Sequence, residues 1–139
     1  QLAPNWIREF RTSYFTRYGE YPNWYALAVH CYFSNEQMMQ NCIALVQQYI
    51  SDARAWGINR VWVTEFSSVV TPGLWDATQA AEGESRFIAF LESDSTVKRY
   101  AHFTNRVTAG LDPWCSNCQS MALVDNYGIL TVLGRMYAK

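Results

Sequence analysis

The sequence has no apolar run approaching the roughly 20 residues that a membrane-spanning helix requires, and no tract of basic residues interleaved with aromatic ones. Its 11 basic and 12 acidic residues leave a formal net charge of −1. A nucleic-acid partner would need a basic surface, so we expect neither a membrane span nor nucleic-acid binding. The first residues contain no charged segment followed by an apolar one, and we interpret the chain as mature or truncated.

Several motifs of nucleotide and acyl chemistry are also missing. No G-x-G-x-x-G follows a predicted strand and no P-loop is present, which disfavours a nucleotide site. No G-x-S-x-G is found, so a Ser-His-Asp triad for acyl transfer is not indicated. The sequence has no Asn-x-Ser/Thr sequon, and glycosylation therefore gives no information on compartment. We expect no cofactor.

The four cysteines are Cys31, Cys42, Cys115 and Cys118. This even number permits two disulfides in an oxidising compartment, and free thiols are the alternative. The pairs nearest in sequence are Cys31–Cys42 and Cys115–Cys118. A zinc site is disfavoured because only the second pair has C-x-x-C spacing, and we predict no metal.

Helical and strand-like segments alternate along the 139 residues. Helical periodicity begins after Asn5 and stops at Gly19, and it recurs after the predicted capping box at 34–37 and over 76–92. Continuous apolar runs at 24–33, 59–66 and 97–103 predict buried strands. A turn-rich loop over 104–119 precedes a short last helix, which Thr131 caps and which ends at Tyr137.

The alternation predicts an α/β fold with a parallel sheet. An open doubly wound sheet and a β/α barrel both fit this pattern. The length is too short for two typical domains, so we expect residues 1–139 to form a single domain.

One carboxylate, Glu65, ends an apolar strand, where a charge is costly unless it is paired or used. Side chains alternate along a strand, which predicts that Glu65 shares a face with Val61 and Val63, opposite Phe66. In a β/α barrel the C-terminal strand ends carry the chemistry. The alternative is a glutamate that pairs with a neighbouring arginine or caps the next helix.

Polar and aromatic side chains also end the other two predicted strands. His30 and Tyr32 end the first, and His102 ends the third. The C-terminal ends of parallel strands meet at one edge, so we expect Glu65, His30 and His102 near the same rim.

Four segments carry a resemblance to a known family: "LAVHCY" at 27–32, "VWVTEF" at 61–66, "VKRYAHF" at 97–103 and "ALVDNYGILTVLGRMY" at 122–137. In this order and spacing they resemble the Asl1-like glycosyl hydrolase catalytic domain, glycoside hydrolase family 128. The resemblance implies a β/α (TIM-type) barrel that hydrolyses β-1,3-glucan with retention. It covers nearly the whole chain, which would correspond to the C-terminal half of the barrel.

The resemblance also implies roles for individual residues. Glu65 matches the catalytic nucleophile on the seventh barrel strand, and His30 and Tyr32 fall on the sixth strand, beside the reactive sugar. Aromatic rings suit the apolar face of a pyranose. By position, Trp75, Phe103 and Trp114 are therefore candidates for substrate binding.

One element of the resembled family is missing from this sequence. A retaining hydrolase needs a second carboxylic acid, which the family carries in an N-E-P motif on the fourth strand. The sequence Asn35-Glu36-Gln37 lacks the proline and lies in a predicted helix cap. We therefore expect the acid/base to come from outside this chain, and the chain alone to be inactive.

Three further expectations follow from the resemblance. The partners are a β-glucan polysaccharide and either the missing N-terminal half or a second copy, because a half-barrel leaves unpaired strand edges. A cell-wall or extracellular glucan implies secretion, with which the four cysteines are compatible. The alternative function is a non-catalytic carbohydrate-binding or structural, assembly-forming protein derived from this fold.

Overall fold

The computed structural model of the protein describes residues 4–107 and 118–138. The elements in chain order are α1 (Pro4–Tyr18), β1 (Leu27–Phe33), α2 (Glu36–Ala55), β2 (Val61–Ser68), α3 (Ala77–Glu92), β3 (Val97–His102), a 3₁₀ turn (Cys118–Met121) and α4 (Val132–Tyr137).

The three strands form one parallel sheet in the order β1-β2-β3. Parallel neighbours need a crossover connection, and α2 and α3 supply one each. The predicted α/β class with parallel strands alternating with helices is therefore confirmed. Because the strands are parallel, their C-terminal ends all lie at the same end of the sheet.

One face of this sheet is covered by α2 and α3. Alternate residues of β1 are buried against the helices. The aromatic centre of the core is formed by Phe33 of β1, Phe66 of β2 and Phe87 of α3. The intervening β1 residues Ala28 and His30 are exposed. No described element covers this second face, which we call the open face.

Short-range hydrogen bonds determine where the helices begin and end. The N-cap of α2 is Asn35, whose side chain accepts from the Met38 N–H at 2.8 Å, so the cap lies one residue after the predicted Ser34. The cap of α3 is Asp76, in a reciprocal capping box with Gln79. Gly19 follows α1 with φ of +75°, a conformation that favours glycine.

The C-terminal part follows the sequence expectation. The carboxylate of Asp125 accepts hydrogen bonds from the N–H groups of Tyr127 and Ile129, both at 2.9 Å, and so stabilises a tight turn before α4. Thr131 caps α4 by accepting from the Gly134 N–H at 3.0 Å. Among the described residues, no helix has the length and apolar character needed to cross a membrane.

Candidate active site

A β-bulge in β2 determines where Glu65 points. Against β1, Val63 pairs with Val29 but Glu65 pairs with His30, so Thr64 is an extra residue. The register with β3 also shifts between Val63 and Phe66. A bulge of this kind re-aims the side chains that follow it.

The bulge corrects the predicted faces of β2. Val61, Val63 and Phe66 are all fully buried on the helix-covered face, whereas Glu65 is partly exposed and contacts residues of the open face. The prediction that Glu65 shares a face with Val61 and Val63, opposite Phe66, was wrong. The side chains of β2 do not alternate strictly between the two faces, because Thr64 is an extra residue between Val63 and Phe66.

Two side chains of β1 reach the Glu65 carboxylate. The phenol of Tyr32 donates a hydrogen bond to Oε2, and His30 Nδ1 lies 3.4 Å from the same oxygen. The side chain of Glu65 is 37% exposed and that of His30 is 54% exposed. The structure thus brings Glu65, His30 and Tyr32 together at a solvent-accessible rim.

The environment of Tyr32 keeps its phenol protonated. Burial raises the pKa of Tyr32 well above its usual value, and the hydrogen bond to Glu65 and the charge of that carboxylate raise it further. A phenol with a raised pKa remains a hydrogen-bond donor at neutral pH. Tyr32 therefore holds one oxygen of Glu65 while the other, Oε1, has no partner among the described residues.

Aromatic residues predicted to bind sugar occupy different places. Phe103 follows β3, and its ring meets that of Tyr32 edge-on with centroids 5.9 Å apart. Trp75 instead contacts Phe33 edge-on at 6.0 Å, and its ring lies over Gly83 of α3. Phe103 therefore borders the site and Trp75 lies near the helix-covered core. Trp114 lies outside the described residues.

His102 does not share the rim with Glu65, contrary to the sequence expectation. Its side chain is 2% exposed and lies on the helix-covered face, where Nδ1 is 2.7 Å from Glu84 Oε1. The ring packs edge-on against Phe66 at 5.9 Å. The last side chain of β3 therefore points to the core, and the site is reached instead by Phe103, one residue later.

Glu84 is a buried carboxylate that the sequence predictions missed. It occurs on the buried side of α3, four residues after Ala80 and three before Phe87, and it is 0% exposed. The sequence signal that could have identified Glu84 is its position within the apolar stripe of α3, because a buried charge needs a partner. Its partners are Ser68 and His102.

Of the four candidate cysteines, Cys31 and Cys42, one of the two pairs nearest in sequence, form a disulfide that joins β1 to α2 on the helix-covered face. Cys31 lies between His30 and Tyr32, so this bond anchors the strand segment that carries both site residues. Cys118 is also disulfide-bonded, and the candidate Cys115 lies outside the described residues. No group of three or more potential metal ligands occurs within residues 4–107 and 118–138.

A family model described as the glycosyl hydrolase catalytic core matches residues 2–137, nearly the full chain. The chain belongs to this family. No curated protein matches the sequence significantly.

Solved structures of glycoside hydrolase family 128 resemble this glycosyl hydrolase core. A subgroup II endo-β-1,3-glucanase from Pseudomonas viridiflava is 29% identical with a TM-score of 0.63, over 96% of this chain and 46% of that one. A subgroup I endo-β-1,3-glucanase from Amycolatopsis mediterranei, solved with laminaritriose and laminaribiose, is 20% identical with a TM-score of 0.67, over 95% and 50%. The expected resemblance to this family is therefore confirmed.

A third solved structure of the same family is described differently. It is a subgroup VII oligosaccharide-binding protein from Trichoderma gamsii, 22% identical with a TM-score of 0.57, over 88% of this chain and 44% of that one. This glycosyl hydrolase core thus spans about half the length of the solved structures it matches. Its parallel strands and helices correspond to about half of a β/α barrel.

Proposed function

We propose that this chain is the nucleophile-bearing, C-terminal half of a retaining β-1,3-glucanase barrel. The observation that carries the proposal is the position of Glu65, which the bulge turns to the open face at the C-terminal edge of the sheet, where Tyr32 hydrogen-bonds it. Membership of the glycosyl hydrolase core family and the 29% identity to an endo-β-1,3-glucanase structure support it.

In this mechanism Glu65 attacks the anomeric carbon of a glucosyl unit. The glycosidic C–O bond breaks, an acid protonates the departing oxygen, and a glycosyl ester forms on Glu65. Water, deprotonated by the same acid in its basic form, then cleaves the ester and restores the carboxylate. Oε1 is the attacking oxygen, because the Tyr32 phenol occupies Oε2.

The acid/base is supplied from outside this chain. In a retaining site the two carboxyl groups lie about 5 to 5.5 Å apart. Among the described residues, the groups in polar contact with Glu65 are a phenol and an imidazole, with no second carboxylate. The chain alone is accordingly inactive.

Substrate binding follows from the same rim. His30 and Tyr32 border the reactive glucosyl unit, and the Phe103 ring beside Tyr32 offers an apolar surface for a neighbouring sugar face. Trp75 and Trp114 are proposed for more distant sugar units. Trp75 would act from its position near Phe33, away from the nucleophile.

The partner that completes the barrel is the N-terminal half or a second copy of the chain. Within the described part of the chain, β1 and β3 each pair on one side only, and unpaired strand edges favour association. A cavity of about 550 Å³, lined by His30, Tyr32, Met38 and Tyr49 among others, lies between the free edge of β1 and α2. This is where a preceding barrel strand would pair.

The proposed compartment is extracellular or the cell wall. The Cys31–Cys42 disulfide is compatible with an oxidising environment, and a polymeric glucan is an extracellular substrate.

A second candidate function is glucan binding without hydrolysis. It is favoured by the lack of a second carboxylate beside Glu65 in the described part of the chain. One solved structure resembling this chain is described as an oligosaccharide-binding protein.

The test is the substitution Glu65→Gln in the complete protein, assayed for release of reducing ends from β-1,3-glucan. We expect turnover to fall by several orders of magnitude with the fold preserved, because glutamine cannot form the glycosyl ester. Glu92→Gln is the matched control, since Glu92 also accepts a tyrosine phenol, from Tyr100 at 2.6 Å on the helix-covered side.

Two outcomes would contradict the proposal. Normal hydrolysis by Glu65→Gln would exclude Glu65 as the nucleophile. Binding of β-1,3-glucan by the complete wild-type protein without release of any product would favour the binding function.

A further inference from the structure

Behind the site, on the helix-covered face, Glu84 and His102 form a buried pair with further polar contacts. Glu84 Oε2 accepts hydrogen bonds from Ser68 N–H at 2.8 Å and from Ser68 Oγ–H at 2.9 Å. Glu84 Oε1 lies 2.7 Å from His102 Nδ1, and His102 Nε2 lies 2.7 Å from the Met121 carbonyl oxygen. We call these four residues the Glu84–His102 network.

The acceptors in this network fix the positions of its protons. The Met121 carbonyl oxygen only accepts, so Nε2 of His102 carries a hydrogen. A second proton lies between Nδ1 and Glu84 Oε1, which makes either an imidazolium–carboxylate pair or a neutral imidazole–carboxylic acid pair. In both forms every polar atom is satisfied, and removing one partner would leave a buried polar group unpaired, which is costly.

The network contacts β2, which carries Glu65, and β3, which leads to Phe103. On β2, Glu84 accepts a hydrogen bond from Ser68, and the ring of His102 packs against Phe66. Phe66 and Ser68 both follow Glu65 closely in sequence. On β3 His102 is followed by Phe103, whose N–H donates to the Phe66 carbonyl at 2.8 Å. The Phe103 ring in turn meets Tyr32, the hydrogen-bond donor to Glu65.

We propose that Glu84 and His102 are positioning residues that maintain the β2 bulge. Because they hold Phe66 and Ser68 on the helix-covered face, they keep the Glu65 side chain on the open face, within hydrogen-bond distance of Tyr32. Neither side chain reaches the open face, so neither acts on substrate. The consequence for turnover rests on the proposed function, whereas the effect on the Tyr32–Glu65 contact does not.

The test follows the Tyr32 phenol by NMR in protein labelled at the tyrosine Cζ carbon, with Tyr32→Phe used to assign its signal. We expect Glu84→Ala, which removes both carboxylate oxygens of the network, to move the Tyr32 titration midpoint down toward that of an ordinary tyrosine by about one pH unit, because the phenol loses the Glu65 partner that adds to the effect of burial. Asp52→Asn is the matched control. Asp52 is 7% exposed and paired with Arg8, between α1 and α2.

Ser68→Ala is a milder variant in case Glu84→Ala does not fold. It removes the Oγ donor but keeps the Ser68 N–H bond to Glu84, and we expect a smaller shift of Tyr32 in the same direction. In the complete protein both variants should lower kcat with little change in KM, whereas Asp52→Asn should lower only stability.

The results separate this inference from the proposed function. An unchanged Tyr32 titration in a folded Glu84→Ala or Ser68→Ala variant would overturn the positioning role, whatever the activity. An equal shift in Asp52→Asn would overturn it as well, because the effect would then be general destabilisation. A shift of the Tyr32 midpoint in the network variants, and not in the control, supports the positioning role even if the wild-type protein hydrolyses no glucan. A lack of glucan hydrolysis by the wild-type protein would count against the proposed function alone.

Discussion

At the scale of single residues, the Tyr32–Glu65 hydrogen bond is the contact on which the proposed chemistry depends. The raised pKa of Tyr32 means that the folded protein keeps the phenol protonated at a pH where the unfolded chain would release the proton. This contribution to stability is fully present below about pH 10, the ordinary pKa of tyrosine, and is lost as the pH rises through the raised value. The Tyr32 phenol therefore remains a donor to Glu65 at neutral pH, and this contact weakens in alkali.

We predict that Tyr32→Phe lowers kcat roughly 10- to 100-fold with little change in KM, because a hydrogen bond to a charged group is worth about 1.5 to 3 kcal/mol. The measurement is steady-state hydrolysis of β-1,3-glucan by the complete protein. Tyr100→Phe is the control, since Tyr100 also donates to a glutamate and its pKa is raised to about 12. Equal losses of kcat in the two variants would argue against a special role for Tyr32.

At the scale of elements, the sequence pattern predicted most of the fold but not the direction of every side chain. Helical periodicity over 76–92 and the cap at Thr131 are local properties, and the structure agrees with them. The bulge at Thr64 depends on how β2 pairs with both neighbours, and no local signal marks it. Glu65 was therefore identified correctly as a carboxylate near the C-terminal end of β2, which continues to Ser68, but it was assigned to the wrong face.

The same distinction explains His102 and Glu84. His102 was predicted at the rim because it ends a strand. Its orientation depends instead on the β3 register and on its partner Glu84 in α3. Glu84 lies 18 residues away from His102 in sequence. Contacts over such separations arise from tertiary packing, which periodicity alone does not predict.

We predict that the double substitution Cys31→Ala and Cys42→Ala lowers the free energy of unfolding by roughly 3 kcal/mol. The disulfide closes a segment with a sequence separation of 11, and a cross-link over such a loop restricts the unfolded chain. Denaturant unfolding of wild type and variant under non-reducing conditions measures the difference. Equal unfolding free energies, or labelling of both thiols in the native wild-type protein, would contradict the prediction.

At the scale of the whole molecule, the described residues leave one sheet face and two strand edges uncovered. The described residues provide three parallel strands and one covered face, and the solved structures that this chain matches are about twice as long. An uncovered sheet face beside unpaired strand edges favours association. The half-barrel is thus expected to find a partner that closes the interior over Glu65.

We predict that the isolated 139-residue chain does not remain an active monomer. Light scattering after size exclusion should give a mass above that of one chain, either as a closed dimer or as an open-ended assembly. Addition of the N-terminal half, once identified, should convert it to a defined complex with glucanase activity. A stable monomer that cleaves β-1,3-glucan unaided would contradict the half-barrel account.

The central claim is that Glu65 forms the covalent intermediate, and the most direct measurement is to trap it. The complete protein is incubated with a fluorinated β-1,3-glucosyl substrate that forms the glycosyl ester rapidly and loses it slowly, and the digested protein is analysed by mass spectrometry. The account predicts one added glycosyl mass, located on the peptide that contains Glu65 and absent from Glu65→Gln. A label on a different carboxylate, or turnover that gives the inverted anomer with no label, would contradict it.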